Sequence, residues 1–260
     1  MLSHWRSCLI LVLALTFSIP AFPAERIFCY TTWDDSFFYV GVEVQDMDVV
    51  GTNSTHMSNP WEDDCIEVFI ETDNAKAPNR TSNTFQMSVS AAGGSSWLVG
   101  DNGIPTPKKI FSFKYARKVQ GTLNQSGDRD SGYTIELGMP WKEMGGPPQP
   151  GQVMGFNIVC RLKGENTGFV SLSPEVKTEE DIQCPAKWAS IRFTNTPTIV
   201  AVQNGIYMCR KVLRTAPRIN GNLETGEWIR DMRFQMLKPP PTKIPGPKYL
   251  FEKLSLTHYF

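Results

Sequence analysis

Carboxylates are the first groups in this 260-residue chain whose types and spacing suit chemistry. Glu67, Glu71, Asp63 and Glu136 supply the atoms for a glycoside hydrolase. Such an enzyme needs two carboxyl groups flanking one scissile bond, one with a raised pKa so that it can donate a proton. Glu67 and Glu71 alternate along a strand-like run, however, and any outward sheet face offers the same pattern. A Ser-His-Asp hydrolase finds less support, because the histidines are His4, His56 and His258 and no Gly-x-Ser-x-Gly elbow is present. His56-Met57 and Met87 contain haem ligands in principle. An adjacent His and Met cannot easily approach an iron from opposite sides. Asp46 and Asp48 precede a long loop, and Glu62-Asp63-Asp64 follow it. Oxygen-rich loops suit Ca²⁺, which takes roughly six to eight oxygen ligands, so Asp46, Asp48 and Asp64 are the candidate structural metal ligands. The EF-hand spacing is missing, and a solvated acidic loop is the competing explanation.

The bulk numbers narrow the partner. Lys plus Arg equals Asp plus Glu at 26 each, and no basic run interleaves with aromatics. Neither a nucleic-acid footprint nor an anionic-membrane patch is indicated, so an uncharged or weakly charged ligand is expected. Residues 1–24 run from a basic start through an apolar core, Cys8 to Phe17, to a small-residue exit ending at Ala24. That order predicts a signal peptide and a secreted, periplasmic or extracellular protein with no membrane contact after cleavage; the alternative is an uncleaved anchor. Beyond Cys8 stand Cys29, Cys65, Cys160, Cys184 and Cys209, with no Cys-x-x-Cys pair. An odd number allows at most two bridges, and burial as small apolar residues is equally compatible.

Positioning any of these groups falls to strands. Phe38, Val40, Val42 and Val44 share one face of an alternating run whose other face carries Tyr39, Glu43 and Gln45. Residues 65–71 repeat the pattern with Ile66, Val68 and Ile70 inward and Glu67 and Glu71 on the opposite face. Further strands are expected at 27–32, 84–90, 110–116, 133–138, 153–162, 169–172 and 189–194, and one helical turn at 140–144. Many short strands with turn residues between them predict an all-β, antiparallel β-sandwich, jelly-roll-like, over residues 25–195, followed by an irregular C-terminal extension over 196–260.

Five segments then resemble family 9 carbohydrate-binding modules. They are Trp33-Asp34-Asp35 leading into Phe38-Tyr39-Val40, Asn59-Pro60-Trp61 through Ile70, Gly132 to Glu136 with Pro140-Trp141, Gly155-Phe156-Asn157-Ile158, and Lys187 to Ile191. Their order is the family's, over roughly residues 26–194. The resemblance implies a sandwich that binds cellulose, xylan or their oligosaccharides without cutting them, usually beside a glycoside hydrolase and often with structural calcium. In the family two Trp rings clamp a sugar, aided by carboxylate, amide and Arg side chains. The first clamp matches Trp61 and the carboxylate matches Glu67. The second clamp falls at Ile182 and the family's Arg at Ser88, so both depart from the pattern. Trp97, in the polar stretch Gly93-Gly94-Ser95-Ser96-Trp97, is the candidate for the missing second face. Trp61, Glu67, Trp97 and Glu136 therefore form the expected carbohydrate-binding set. For Trp61 the competing role is a plug at the sandwich edge, and for Glu67 a solvated outward face. Trp33, Trp141 and Trp188 read as packing residues.

The stretch Ala216 to Trp228 looks like the opening strand with which this family begins, a strand the first module lacks. Either a truncated second module starts there, or the segment returns to fill the vacant position. The Pro-rich tail contains no further motif, which favours truncation.

Overall fold

The computed structural model describes residues 26–108, 112–164, 167–196, 202–203, 205–212, 215–223, 228 and 233–237. The expected signal segment lies outside them. Alternation of apolar and polar residues produces a first hairpin of β1 (Arg26–Trp33) and β2 (Phe37–Val44), and β2 pairs antiparallel with β8 (Gly132–Pro140). Its register sets Phe38 against Met139, Val40 against Leu137, Val42 against Ile135 and Val44 against Tyr133, all buried. A one-residue slip would turn every one of these side chains to the other face, so this pattern fixes the register. β7 (Lys114–Gln120) closes the far edge beside β8.

The second half is built alike. β3 (Cys65–Glu71) lies between β4 (Thr84–Ser90) and β9 (Val153–Leu162), with Val68 opposite Met87 on one side and Ile158 on the other. β5 (Ser95–Asp101) and β6 (Ile104–Pro107) extend this half beyond β4. β10 (Gly168–Ser171) and β11 (Ala189–Thr194) share the other side of β9. The halves meet face to face: the Phe38 ring of β2 stands 5.9 Å from the Phe156 ring of β9, and the Tyr133 hydroxyl lies 3.6 Å from Cys160 Sγ. Each large apolar side chain sealed there contributes roughly 1.5–3 kcal/mol. Trp33 and Trp141 are core, as expected, with Trp141 stacked on Phe38.

Two features depart from the expected antiparallel sandwich with an irregular tail. β13 (Ile206–Lys211) inserts parallel to both β11 and β1, so the sheet is mixed and curls continuously from β6 to β7. β14 (Arg233–Leu237) pairs antiparallel with Arg26 to Tyr30, and the short β12 (Val202–Gln203) adds to β13. The described parts of the extension thus pair with β1 and β11 of the first module. The physical reason is that β1 otherwise leaves one row of backbone donors and acceptors unpaired, and β13 and β14 satisfy it.

Smaller differences have local causes. The strand expected at 110–116 begins at Lys114, with 109–111 outside the described residues. The expected helical turn is a 3-10 turn over Trp141–Glu143. A short helix α1 (Glu179–Ile182) was not expected, although Thr178 and Asp181 form a capping box at its start. Cys29, Cys65, Cys160, Cys184 and Cys209 are all free thiols, four of them buried.

Candidate functional site

Trp61 sits on a 3-10 turn, Pro60–Glu62, immediately before β3, and Pro60 at its first position presets the backbone for that turn. Six tryptophans fall among the described residues, and Trp33, Trp97, Trp141, Trp188 and Trp228 are buried. Trp61 alone among them is only partly buried. An aromatic face open to solvent can stack on the apolar C–H face of a sugar.

Glu67 is different. It points to the outward face of β3, yet only 1% of it is exposed. Its Oε1 accepts from Arg161 Nε at 2.7 Å, and Oε2 accepts from Gln86 Nε2 at 2.7 Å and Ser88 Oγ at 3.3 Å. Arg161 also grips both oxygens of Glu179 through Nη1, at 2.6 and 2.7 Å. Burial pulls the Arg161 pKa down, but Glu67 and Glu179 outweigh it and hold the pKa above the usual value. Glu67 is therefore neither a solvated face residue nor an open sugar ligand; it anchors an internal ion pair. Sequence reasoning missed Arg161, whose only signal is strand alternation with Asn157 and Val159.

Beside this pair lies Arg80, 2% exposed, whose Nη2 donates to Gln86 Oε1 and Gln183 Oε1, each at 2.8 Å. Its guanidinium lies 5.1 Å from the Phe69 ring centroid and 4.8 Å from that of Trp188. Burial lowers its pKa to about 10, with Glu67 opposing. Ile182, at the expected second clamp, is buried with Phe69, Val159, Val176 and Trp188. Ser88, at the expected arginine position, is buried as well. The outward face of β3, β4 and β9 is thus covered by the segment carrying α1.

Trp97 must be corrected. Gly93 and Gly94 lie outside any strand, but Ser95 to Trp97 open strand β5, and its alternation drives Trp97 wholly into the core, 6.3 Å from Phe85 and 5.9 Å from Phe113. It offers no face to a ligand. Glu136 is likewise no open sugar ligand. It is fully buried and accepts from Asn220 N at 2.7 Å, Gly221 N at 2.6 Å and Trp228 Nε1 at 2.9 Å. The returning C-terminal segment holds it.

The acidic loop groups do not form the expected calcium set. Asp64 is fully buried, with Oδ2 accepting from Val50 N and Oδ1 from Lys163 N, each at 2.6 Å. Asp46 Oδ1 accepts from Asp48 N at 3.1 Å. Asp63 accepts from Thr52 N, Asn53 N and Ser90 Oγ. Among the described residues, no group of three or more His, Cys, Asp or Glu is arranged to hold a metal ion. Both oxygens of Asp64 and one of Asp46 are taken up by backbone N–H groups.

Asp64 has another consequence. Burial, then the neighbouring Asp46 carboxylate, outweigh the two backbone hydrogen bonds and push its pKa up to about 7. A carboxyl whose folded pKa exceeds its unfolded value stabilises the fold fully only below the unfolded pKa, near 4. Stability is therefore expected to fall between about pH 4 and pH 7, by on the order of 2–4 kcal/mol. Urea denaturation across this range measures it. Asp64→Asn flattens the slope, and an unchanged slope would assign the effect to other groups.

The hydrolase and haem readings also meet the geometry. Asp63, Glu67, Glu71 and Glu136 are all buried and accept hydrogen bonds from within the chain; Glu71 accepts from Lys76 N and Ala77 N. His56 Nδ1 is hydrogen-bonded with Ser95 Oγ at 3.0 Å, and Met87 is sealed in the core.

Comparison with known proteins decides the kinship. The model for the carbohydrate family 9 binding domain-like family matches residues 29–193. The chain belongs to this family. Curated relatives of the family 9 module include endo-1,4-beta-xylanase A of Thermotoga maritima, 29% identical over 164 residues that make up 62% of this chain and 13% of the xylanase. The xylanase A of Thermoanaerobacterium saccharolyticum is 29% identical over 142 residues, 54% of this chain and 10% of that protein. The chain thus spans about a tenth of the length of these relatives. Among solved structures, a protein from Bacteroides uniformis has a TM-score of 0.52 at 16% identity, over 65% of this chain and 78% of its own. A family 9 module from Caldicellulosiruptor kristjanssonii in complex with cellotriose has a TM-score of 0.48 at 21% identity, over 68% of this chain and 79% of its own.

Proposed function

We propose that this module holds plant-type polysaccharide, xylan, cellulose or their oligosaccharides, without cutting it, in support of a glycoside hydrolase acting nearby. The observation that carries the reading is Trp61. It matches the family's first clamp position, and it alone among the described tryptophans is only partly buried. The burial of Asp63, Glu67, Glu71 and Glu136 favours binding over hydrolysis, because a catalytic pair must reach one scissile bond from either side. The xylanase relatives support xylan as the first ligand to try. The basic, apolar, small-residue order of residues 1–24 supports export to the compartment where such polymers are found.

Calorimetry and affinity electrophoresis with xylan, cellulose and cello-oligosaccharides test this. The native chain is expected to bind without releasing reducing sugar. Trp61→Ala is expected to weaken binding about ten-fold or more, corresponding to about 1.4 kcal/mol of lost stacking. Release of reducing sugar, or full retention by Trp61→Ala, would overturn the assignment.

A further inference from the structure

One row of outward side chains crosses four strands and links the Trp61 turn to the far side of β9. Ser90 of β4 pairs with Cys65 of β3, Cys65 with Arg161 of β9, and Arg161 with Phe169 of β10. Neighbouring strands lie about 4.8 Å apart, so the row spans about 14 Å, well beyond the width of one sugar ring. The Trp61 turn is fastened at the Ser90 end: Asp63, two residues after Trp61, accepts a hydrogen bond from Ser90 Oγ at 2.5 Å. Ser90 and Cys65 are sealed, whereas Arg161 and Phe169 are only partly buried, so the row comes to the surface toward β10.

That end offers both kinds of contact a sugar uses. Phe169 packs against the buried cluster of Phe69, Val159 and Trp188, and the Arg161 guanidinium lies 5.9 Å from its ring centroid. The ring is thus held in place without being sealed, as stacking on a sugar C–H face requires. Beside it, Arg161 Nη1 grips both oxygens of Glu179, yet the Glu179 side chain remains 61% exposed. An ionised carboxylate accepts at about four lone-pair sites, so Glu179 keeps acceptors for sugar hydroxyls after its two bonds to Arg161.

Glu67 pins Arg161 from the sheet side, and the pair therefore stands in position before any ligand arrives. Preorganisation of this kind keeps the ordering cost of binding low. The two arginines of this face, Arg80 and Arg161, stand beside two carboxylates, Glu67 and Glu179, which suits a neutral hydroxyl-bearing ligand.

We infer that Phe169 and the Arg161–Glu179 pair form a second contact point beyond the Trp61 turn, which makes the module select neutral oligosaccharides over disaccharides. The inference rests on the reading of Trp61 as a sugar platform. Calorimetry of the full chain with xylobiose and xylohexaose, and with cellobiose and cellohexaose, tests it. In the series that binds, the hexaose is expected to bind about ten-fold or more tightly than the disaccharide, as a second stacking contact with its hydrogen bonds would give. Phe169→Leu, which keeps apolar bulk and removes the aromatic face, and Glu179→Gln should each cut that ratio to about three-fold or less. Both ligands are titrated into the same preparation, so the ratio does not change if part of a variant is unfolded. Trp61→Ala should weaken both ligands. Equal affinity for the two lengths, or a native ratio in either the Phe169 or the Glu179 variant, would overturn the second contact and leave the Trp61 reading intact. Affinities unchanged in Trp61→Ala, with the ratio still lost in Phe169→Leu, would keep this contact and remove the Trp61 platform. If no sugar of either series binds, both assignments fall.

Discussion

Deleting residues 214–260 is expected to lower the melting temperature by about 10 °C or more, although the deleted stretch follows the whole family-matched region. Three losses add up. The Glu136 carboxylate would exchange the donors of Asn220, Gly221 and Trp228 for water, losing the net worth of hydrogen bonds to a charged group, about 1.5–3 kcal/mol each as an upper bound. Trp228 would leave its packing against Tyr30 and Tyr39, forfeiting roughly 2–3 kcal/mol of apolar burial. β1 would lose the β14 ladder from Arg26 to Tyr30. At about 2–4 °C per kcal/mol for a domain of this size, a shift of 10 °C is a conservative expectation. The sheet is shaped for this segment. A Cβ on Gly41 would stand 2.5 Å from Leu223 Cδ2, and Gly221, at φ +86°, lies where a Cβ would meet the Arg117 backbone oxygen at 2.8 Å. Gly41→Val should therefore destabilise in the same direction by dislodging Trp228. A melting transition unchanged by the deletion would mean that the segment is not docked.

Glu67→Ala is expected to cost about 3–5 kcal/mol in urea denaturation, because Arg161 and the Gln86 and Ser88 donors would be left facing a buried hole. A glutamate on a solvated sheet face would change stability by less than about 0.5 kcal/mol. The two roles are therefore well separated. Glu67→Gln, which keeps the shape and one acceptor, should cost less, and Arg161→Ala should mimic the alanine variant while also freeing Glu179. Any sugar-binding loss in Glu67→Ala has to be read on the folded fraction alone. A variant of full stability that no longer binds would instead make Glu67 a direct ligand.

Local pattern carried much of the fold. Runs such as Phe38 to Val44 and Cys65 to Glu71 revealed their strands and their inward faces, because burial on one side of a pleat imposes a period of two. β4 and β9 lie at the bounds their residues implied. Where pattern was weak it misled. Gly93-Gly94-Ser95-Ser96 looks like a loop, yet Ser95 and Ser96 are buried in β5 beside β4, and Trp97 follows them into the core. Small polar residues satisfy turn chemistry and tight sheet packing equally well.

The candidate site was legible in part. The family resemblance singled out Trp61, and the structure sets it on the 3-10 turn ahead of β3, partly exposed. The roles of Glu67 and Glu136 were not legible, because an outward-facing carboxylate looks the same whether water or another part of the chain covers it. Their partners, Arg161 at a separation of 94 residues and Trp228 at 92, come from segments that local alternation cannot connect.

By itself, then, the sequence determined an all-β module, its main strands and its inward residues, and its ordered motifs carried the resemblance to family 9. The strands and inward residues follow from short-range periodicity and turn chemistry. Only the tertiary structure decided that the extension closes the module, that β13 makes the sheet mixed, and that most of the named carboxylates serve the fold. Those outcomes depend on which distant donors reach a buried group once the sheet has curled.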